Sequence, residues 1–289
     1  MTTEKIDYSI TIKSKNDSLY LSPYSTCRII DGGLEGFDFP ETRLAVSERG
    51  FGDGGVVSGA VICPRTMNIV FDVVRREKFE SVKAVIQRLM NPHGSVTITT
   101  SFEGRRREID AVPASKPQIV RENFHDRARV KLSFTACEPL FRSEKKTEVN
   151  FPTVIPILSF PLNLMKGAGS VCSFAGSPYS GGIDNPGDTE CGFTAVLTAH
   201  GGEVAYPSLH LGRRYISLED TLAAGDVMEI CTSSGHKSIS VNGEERYSFS
   251  RSSEFFSLSP GINSITLTAN SGLSHLAVHF EFYPLYFGW

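Results

Sequence analysis

The sequence predicts a mainly β protein in two halves: strands with a single α-helix in the first, and an antiparallel β-sandwich in the second. Three observations carry this. Apolar residues alternate with polar ones in short runs bounded by turn residues along most of the chain. Only one stretch, between Arg76 and Met90, changes to a helical period. The charge also changes sign: residues 1–149 carry 23 Lys+Arg against 20 Asp+Glu, and residues 150–289 carry 6 against 12. At 289 residues the chain is long enough for two domains, each with its own core. The expected boundaries are 1–148 and 149–289.

In the first half, "SVTITTSFEGRRREIDAV" alternates Val96 and Ile98, turns at Glu103-Gly104, and resumes at Ile109 and Val112, a hairpin pattern. Phe79, Val82, Ile86 and Leu89 form one helical stripe that should pack on a sheet, and Asn91-Pro92-His93-Gly94 ends the helix. "RARVKLSFTACEPLF" alternates Val130, Leu132 and Phe134, a half-buried strand that Pro139 helps to end. Residues 144–168, a charged run followed by Pro152, Pro156 and Pro161, read as the boundary. Beyond them, "SISVNGEERYSFS" sets Asn242-Gly243 between alternating runs, a strong short hairpin signal because both turn residues need positive φ. "INSITLTANSGLSHLAVHFEFYP" reads as a second hairpin, with Ile265 and Leu267 facing Leu276, Val278, Phe280 and Phe282. Short strands at close spacing without a helix indicate the sandwich.

Several function classes are disfavoured. Gly50-Phe51-Gly52-Asp53-Gly54-Gly55 matches G-x-G-x-x-G, but β-branched residues broken by Gly59 and Pro64 follow it, and no helix opens there. A dinucleotide site needs that helix N-terminus, so this is read as a flexible loop between strands. His275 and His279 lie four apart on a strand-like segment, where four residues span roughly 13 Å, too far to share a metal. "DNPGDTE" (184–190) reads as a turn rather than a calcium loop. There is no G-x-S-x-G elbow, and no two of the 32 acids stand out as a catalytic pair. Arg105-Arg106-Arg107 decorates a hairpin turn, and acids interleave the other bases, so no specific nucleic-acid binding is expected. Six cysteines without a C-x-x-C pair read as reduced thiols, mostly packed as small hydrophobes. "MTTEKIDYSI" has no apolar core of a signal peptide. The most apolar stretch, 151–165, is short and broken by prolines, so no membrane insertion is expected. A carbohydrate-binding reading rests on aromatics: Phe193, Phe249, Phe280 and Phe282 look like core, whereas Tyr179, Tyr206, Tyr215 and Trp289 are candidates for exposure.

"NPGDTECGFTAVLTA" (185–199), "YISLEDTLAAGDVMEI" (215–230), "ISVNGEE" (239–245) and "FFSLSPGINSITLTA" (255–269) follow one another in this order. In order and spacing they resemble the C-terminal region of phage distal tail proteins, the siphophage tail-component family. "GLEGFDFP" (33–40), "DGGVVSGAVICPRTMNIVFDVV" (53–74), the single helix and "FTACEPLF" (134–141) are similar to that family's N-terminal domain. Glu138 stands where the family commonly has a D-P or similar pair.

The resemblance implies an N-terminal β-barrel-like domain with one helix and a C-terminal galectin-like sandwich. It implies a structural virion protein without enzyme activity or cofactor: a baseplate hub at the virion tail tip, made in the bacterial host cytoplasm. The hub would be a hexameric ring joining the tail tube protein to a tail fibre or tail-associated hub protein. The outer domain would meet a receptor-binding protein or host-surface glycan. Gly50, Phe51, Gly52, Asp53, Gly54 and Gly55 then become a candidate inter-subunit loop. The alternatives are a lectin-like adhesion module and, further off, a β-sandwich glycosidase.

Overall fold

The computed structural model describes residues 8–121, 127–151, 154–156, 173–175 and 179–289. Much of the proline-spaced boundary segment and Cys172 lie outside them. The chain divides into two compact units, Met1–Glu144 with Leu285–Trp289, and Lys145–Pro284.

The first unit contains β1 (Tyr8–Lys13), β2 (Ser18–Leu21), β3 (Cys27–Glu35), β4 (Thr42–Glu48), β5 (Gly55–Ile62), β6 (Arg65–Val73), α1 (Phe79–Leu89), β7 (Val96–Phe102), β8 (Arg105–Pro113), β9 (Gln118–Arg121), β10 (Ala128–Ala136) and β11 (Phe141–Ser143). Its main sheet runs β2-β1-β7-β8-β10-β6-β3, every pairing antiparallel. β8 and β10 share only the pairs Phe134↔Pro113 and Thr135↔Val112. Inward residues on both sides of this short junction, among them Ile10, Ile98, Phe71 and Phe134, form one core. Antiparallel strands with a single helix are the expected composition of this half. The β7–β8 hairpin turns where expected, with Glu103 and Gly104 both at positive φ.

The helix buries Phe79, Ile86 and Leu89, with Val82 and Val85 partly covered against the same core. Arg88 in its last turn makes a two-pronged bond to Asp17 at 2.7–3.0 Å. The Asn91 side chain accepts the His93 N–H just beyond the helix end.

The second unit contains β12 (Thr147–Phe151), β13 (Val154–Pro156), β14 (Ser173–Ala175), β15 (Tyr179–Asn185), β16 (Phe193–Ala199), β17 (Val204–Ala205), β18 (Ser208–Leu211), β19 (Arg214–Ser217), β20 (Thr221–Leu222), β21 (Val227–Ser233), β22 (His236–Val241), β23 (Glu244–Glu245), β24 (Gly261–Thr268) and β25 (Leu276–Phe282). A six-stranded sheet, β12-β25-β16-β21-β22-β23, and a four-stranded sheet, β15-β24-β18-β19, make the sandwich. Alternation turns Phe193, Leu197, Ile230 and Phe280 of the first, and Ile183, Leu209, Ile265 and Leu267 of the second, into its interior. Phe151 of one sheet lies over Gly181 of the other so closely that a Cβ there would stand 2.8 Å from the ring.

One expectation fails. β24 and β25 are not a hairpin: β24 pairs with β15 and β18, and β25 with β12 and β16. Both strands face the core, but from opposite sheets. Alternation records which residues point inward and not which sheet they join, and the link at 269–275 is long enough to cross between sheets.

The motifs that carried the resemblance prove to be turn chemistry. Buried Asn185 donates to the carbonyls of Thr189 and Leu258 and accepts from the Gly187 N–H, so "DNPGDTE" is a turn as expected. Asn263 of "SPGIN" likewise donates to the Ser259 and Gly261 carbonyls. Asp226 of "AAGD" accepts from the Ala223 N–H at 2.8 Å and from the Asn242 amide of "VNGEE" at 2.9 Å, tying two hairpin ends together.

The last short strand, β26 (Leu285–Tyr286), belongs to the first unit, where it pairs with β11. Arg65, only 3% exposed, holds this ending in place. Its guanidinium donates to the carbonyls of Pro139 at 2.8 Å, Gly36 at 3.0 Å, Asp38 at 2.7 Å and also Phe287. Burial lowers its pKa to about 10, which leaves it charged at neutral pH. Arg107 lies 3.7 Å over the Tyr286 ring and donates to the Gly288 carbonyl. Trp289 packs among Tyr8, Phe37 and Phe102.

Candidate assembly surface

The glycine cluster is the tip of a hairpin. β4 and β5 pair with each other and with no other described strand, and residues 41–61 are exposed without a break. Gly52 and Gly54 sit at φ 91° and 96°, conformations that favour glycine. The Arg49 N–H donates to the Gly54 carbonyl at 3.2 Å, which closes the loop. Strand β5 follows the loop directly.

The strands behind this loop carry the surface. Opposite residues in an antiparallel pair share a face, so the register puts Thr42/Ile62, Leu44/Ala60 and Val46/Val57 on one side. The other side has Arg43/Val61, Ala45/Gly59 and Ser47/Val56. Ala60 and Val57 are three apart, and strict alternation would send them to opposite faces. A bulge between Ala45 and Val46 corrects this, and the Ser58 hydroxyl donates to the Ala45 carbonyl across it at 3.1 Å. One face therefore carries Leu44, Val46, Val57, Ala60 and Ile62 together, with the polar Thr42 and Glu48 only at its two ends. Leu44, Val46 and Val57 are 56%, 58% and 58% exposed, and Phe51 at the tip is wholly exposed. A lone two-stranded hairpin is marginally stable in water, and an exposed apolar ribbon is a template for association.

The structure brings all six loop residues together at this tip. The glycines mark the loop in the sequence, and the ribbon behind it is marked only by its flanking runs. "TRLAVSE" and "GVVSGAVI" flank the glycines as two β-rich runs, which was the available signal.

The other candidates resolve as follows. His275 is exposed in a short 3-10 turn and His279 lies on β25, so they form no pair. Ligand atoms of Glu148, His279 and Glu281 do lie within 4.8 Å of one another. Lys146 already binds Glu281 at 2.5 Å, and Asn150 meets His279 Nδ1 at 2.6 Å, so the group is a cross-strand polar ladder. The five described cysteines are free thiols, and burial pushes Cys27 to about 11 and Cys191 to about 12. Of the aromatics expected to be exposed, Tyr179 packs on Phe151 and Trp289 on the first unit's core. Tyr206 and Tyr215 come together in one cleft. No helix among the described residues is long and apolar enough to cross a membrane.

Comparison with known proteins follows the same lines. Residues 186–283, about a third of the chain, match the family described as siphovirus-type tail component, C-terminal domain. The chain has the fold of the SPP1 Dit protein, whose crystal structure is described as a paradigm of the hub adsorption apparatus in phages infecting Gram-positive bacteria. Identity is 13%, the TM-score 0.66, and the match covers 96% of this chain and 98% of that one. A chain of the phage P2 baseplate, in its activated conformation with Ca, is similar at 9% identity and a TM-score of 0.50, covering 97% and 98%. No curated protein sequence matches significantly. The family match falls within the second unit, Lys145–Pro284. The chain as a whole has a mainly β fold like that of SPP1 Dit.

Proposed function

We propose that this protein is a structural hub of a phage tail tip, without catalytic activity, whose first unit assembles into a hexameric ring. The ring joins the tail tube protein to a tail fibre or tail-associated hub protein, and the second unit meets the receptor-binding apparatus. The chain is assembled in the host cytoplasm and ends in the virion tail. The observation that carries this reading is the likeness to SPP1 Dit along 96% of the chain, together with the family match in the second unit. The β4–β5 hairpin supports it independently. An apolar ribbon that pairs with no other described strand is suited to a neighbouring copy, and a repeated head-to-tail contact closes into a ring. On this reading Gly50–Gly55 orders against the adjacent subunit.

The test is the mass of the purified chain by light scattering, alone and with purified tail tubes. A hexamer in either setting supports the reading. A chain that stays monomeric and never joins the tube refutes it.

A further inference from the structure

The second unit has a cleft that the ring reading does not use. It measures about 420 Å³, within the range of small-ligand sites, and lies at the β19 edge of the four-stranded sheet. Leu209 and Ile216 point inward here, so the alternate residues of β18 and β19 face out. Ser208 sits opposite Ser217, with their hydroxyls 2.6 Å apart, and His210 sits opposite Tyr215, with their rings stacked at 5.4 Å. Tyr215 donates its hydroxyl to Ser252, which meets Ser250 at 3.1 Å. Glu219 and Asn270 complete the wall.

Tyr206 stands at the cleft with its side chain exposed and φ at 51°. A bulky residue rarely adopts that conformation, and such outliers gather at ligand clamps. The Tyr206 N–H is held by the Asp220 carbonyl at 3.0 Å.

The lining also limits the ligand. The outer edge of β19 is already closed, because the N–H groups of Ser250 and Glu254 donate to the carbonyls of Ser217 and Tyr215 at 3.0 and 2.8 Å. A peptide therefore finds no free strand edge to extend. Among the described residues no lysine or arginine lines the cleft, and Glu219 does, so a phosphate or carboxylate polymer would meet repulsion. Hydroxyls, an amide and one carboxylate beside two aromatic rings fit a ligand with many hydroxyl groups and an apolar ring face.

We propose that this cleft binds a neutral saccharide, its ring against Tyr206 and its hydroxyls on Glu219, Asn270 and the serine pair. The site stands apart from the ring: a monomer that binds sugar upholds it, and a hexamer that binds none overturns it.

Saturation-transfer NMR on the full chain tests this with millimolar lactose, maltose and N-acetylglucosamine, and with glycerol phosphate as the anionic probe. At least one neutral sugar should show transfer, and glycerol phosphate none. Tyr206→Gly removes the ring while suiting the positive φ, so the fold is kept; it and Glu219→Gln should each weaken binding roughly ten-fold or more. Tyr206→Phe should retain it. Silence from all three sugars, binding that survives both substitutions, or binding of glycerol phosphate alone would overturn the assignment.

Discussion

Replacing Leu44, Val46 and Val57 together by threonine tests the hairpin's role most directly. Threonine has the β-branched shape that strands favour, which Val46 and Val57 already have, while adding a hydroxyl to the apolar face. Fully burying a leucine or valine side chain is worth ~1.5–3 kcal/mol. These three are 56%, 58% and 58% exposed, so covering each by a neighbour leaves about 1 kcal/mol to gain, or roughly 3 kcal/mol per contact. Losing that amount weakens each contact by about two orders of magnitude. Light scattering over a wide concentration range, with incorporation onto purified tail tubes in parallel, reads the shift. Thermal unfolding of the monomer is the control, and exposed sites should change its stability by no more than about 0.5 kcal/mol. An unchanged assembly midpoint with an intact monomer would refute the inter-subunit role of this face.

Arg65→Met leaves four backbone carbonyls without their donor, and should cost roughly 3 kcal/mol or more and lower the first unit's Tm by about 10 °C in calorimetry. Gly181→Ala puts a methyl group 2.8 Å from the Phe151 ring, and denaturant unfolding should show the second unit destabilised by about 1–3 kcal/mol. The Asn242 hydrogen bond, followed by the Ala223 N–H, holds the Asp226 carboxyl below its ordinary pKa. Its contribution to stability is therefore complete above that ordinary value and is lost as pH falls through the lowered one. NMR titration should find the depressed value, and Asn242→Ala should move it back up.

Local chemistry was the legible part of this fold. The helix stripe of Phe79, Ile86 and Leu89, the turns at Glu103-Gly104 and Asn242-Gly243, and the inward alternation of β16 and β25 all follow from residue period and positive-φ chemistry. Sheet membership was not legible. Ile265 and Phe280 both point inward whether their strands pair or face each other across a core, and only long-range register decides. The proposed assembly surface was half legible: the glycines mark a loop, but the exposure of Leu44 and Val57 follows from β4 and β5 pairing with no other described strand. The cleft depends on Tyr206, Glu219, Ser250 and Asn270, spread over 65 residues and joined only by folding. Arg65 reads as an ordinary strand cation until the chain's ending arrives beside it.

The place of β26 in the sequence sets an order of events during synthesis. Strand β26 is encoded after the whole second unit, so the ribosome makes 140 more residues, Lys145–Pro284, between the first unit's β11 and its partner. At ~5–20 residues per second this is a delay of roughly 7–28 s. Throughout it the Arg65 guanidinium lacks the Phe287 carbonyl, and the pocket among Tyr8, Phe37 and Phe102 lacks the Trp289 indole. The first unit's sheet and aromatic cluster are completed only once residues 285–289 have been made.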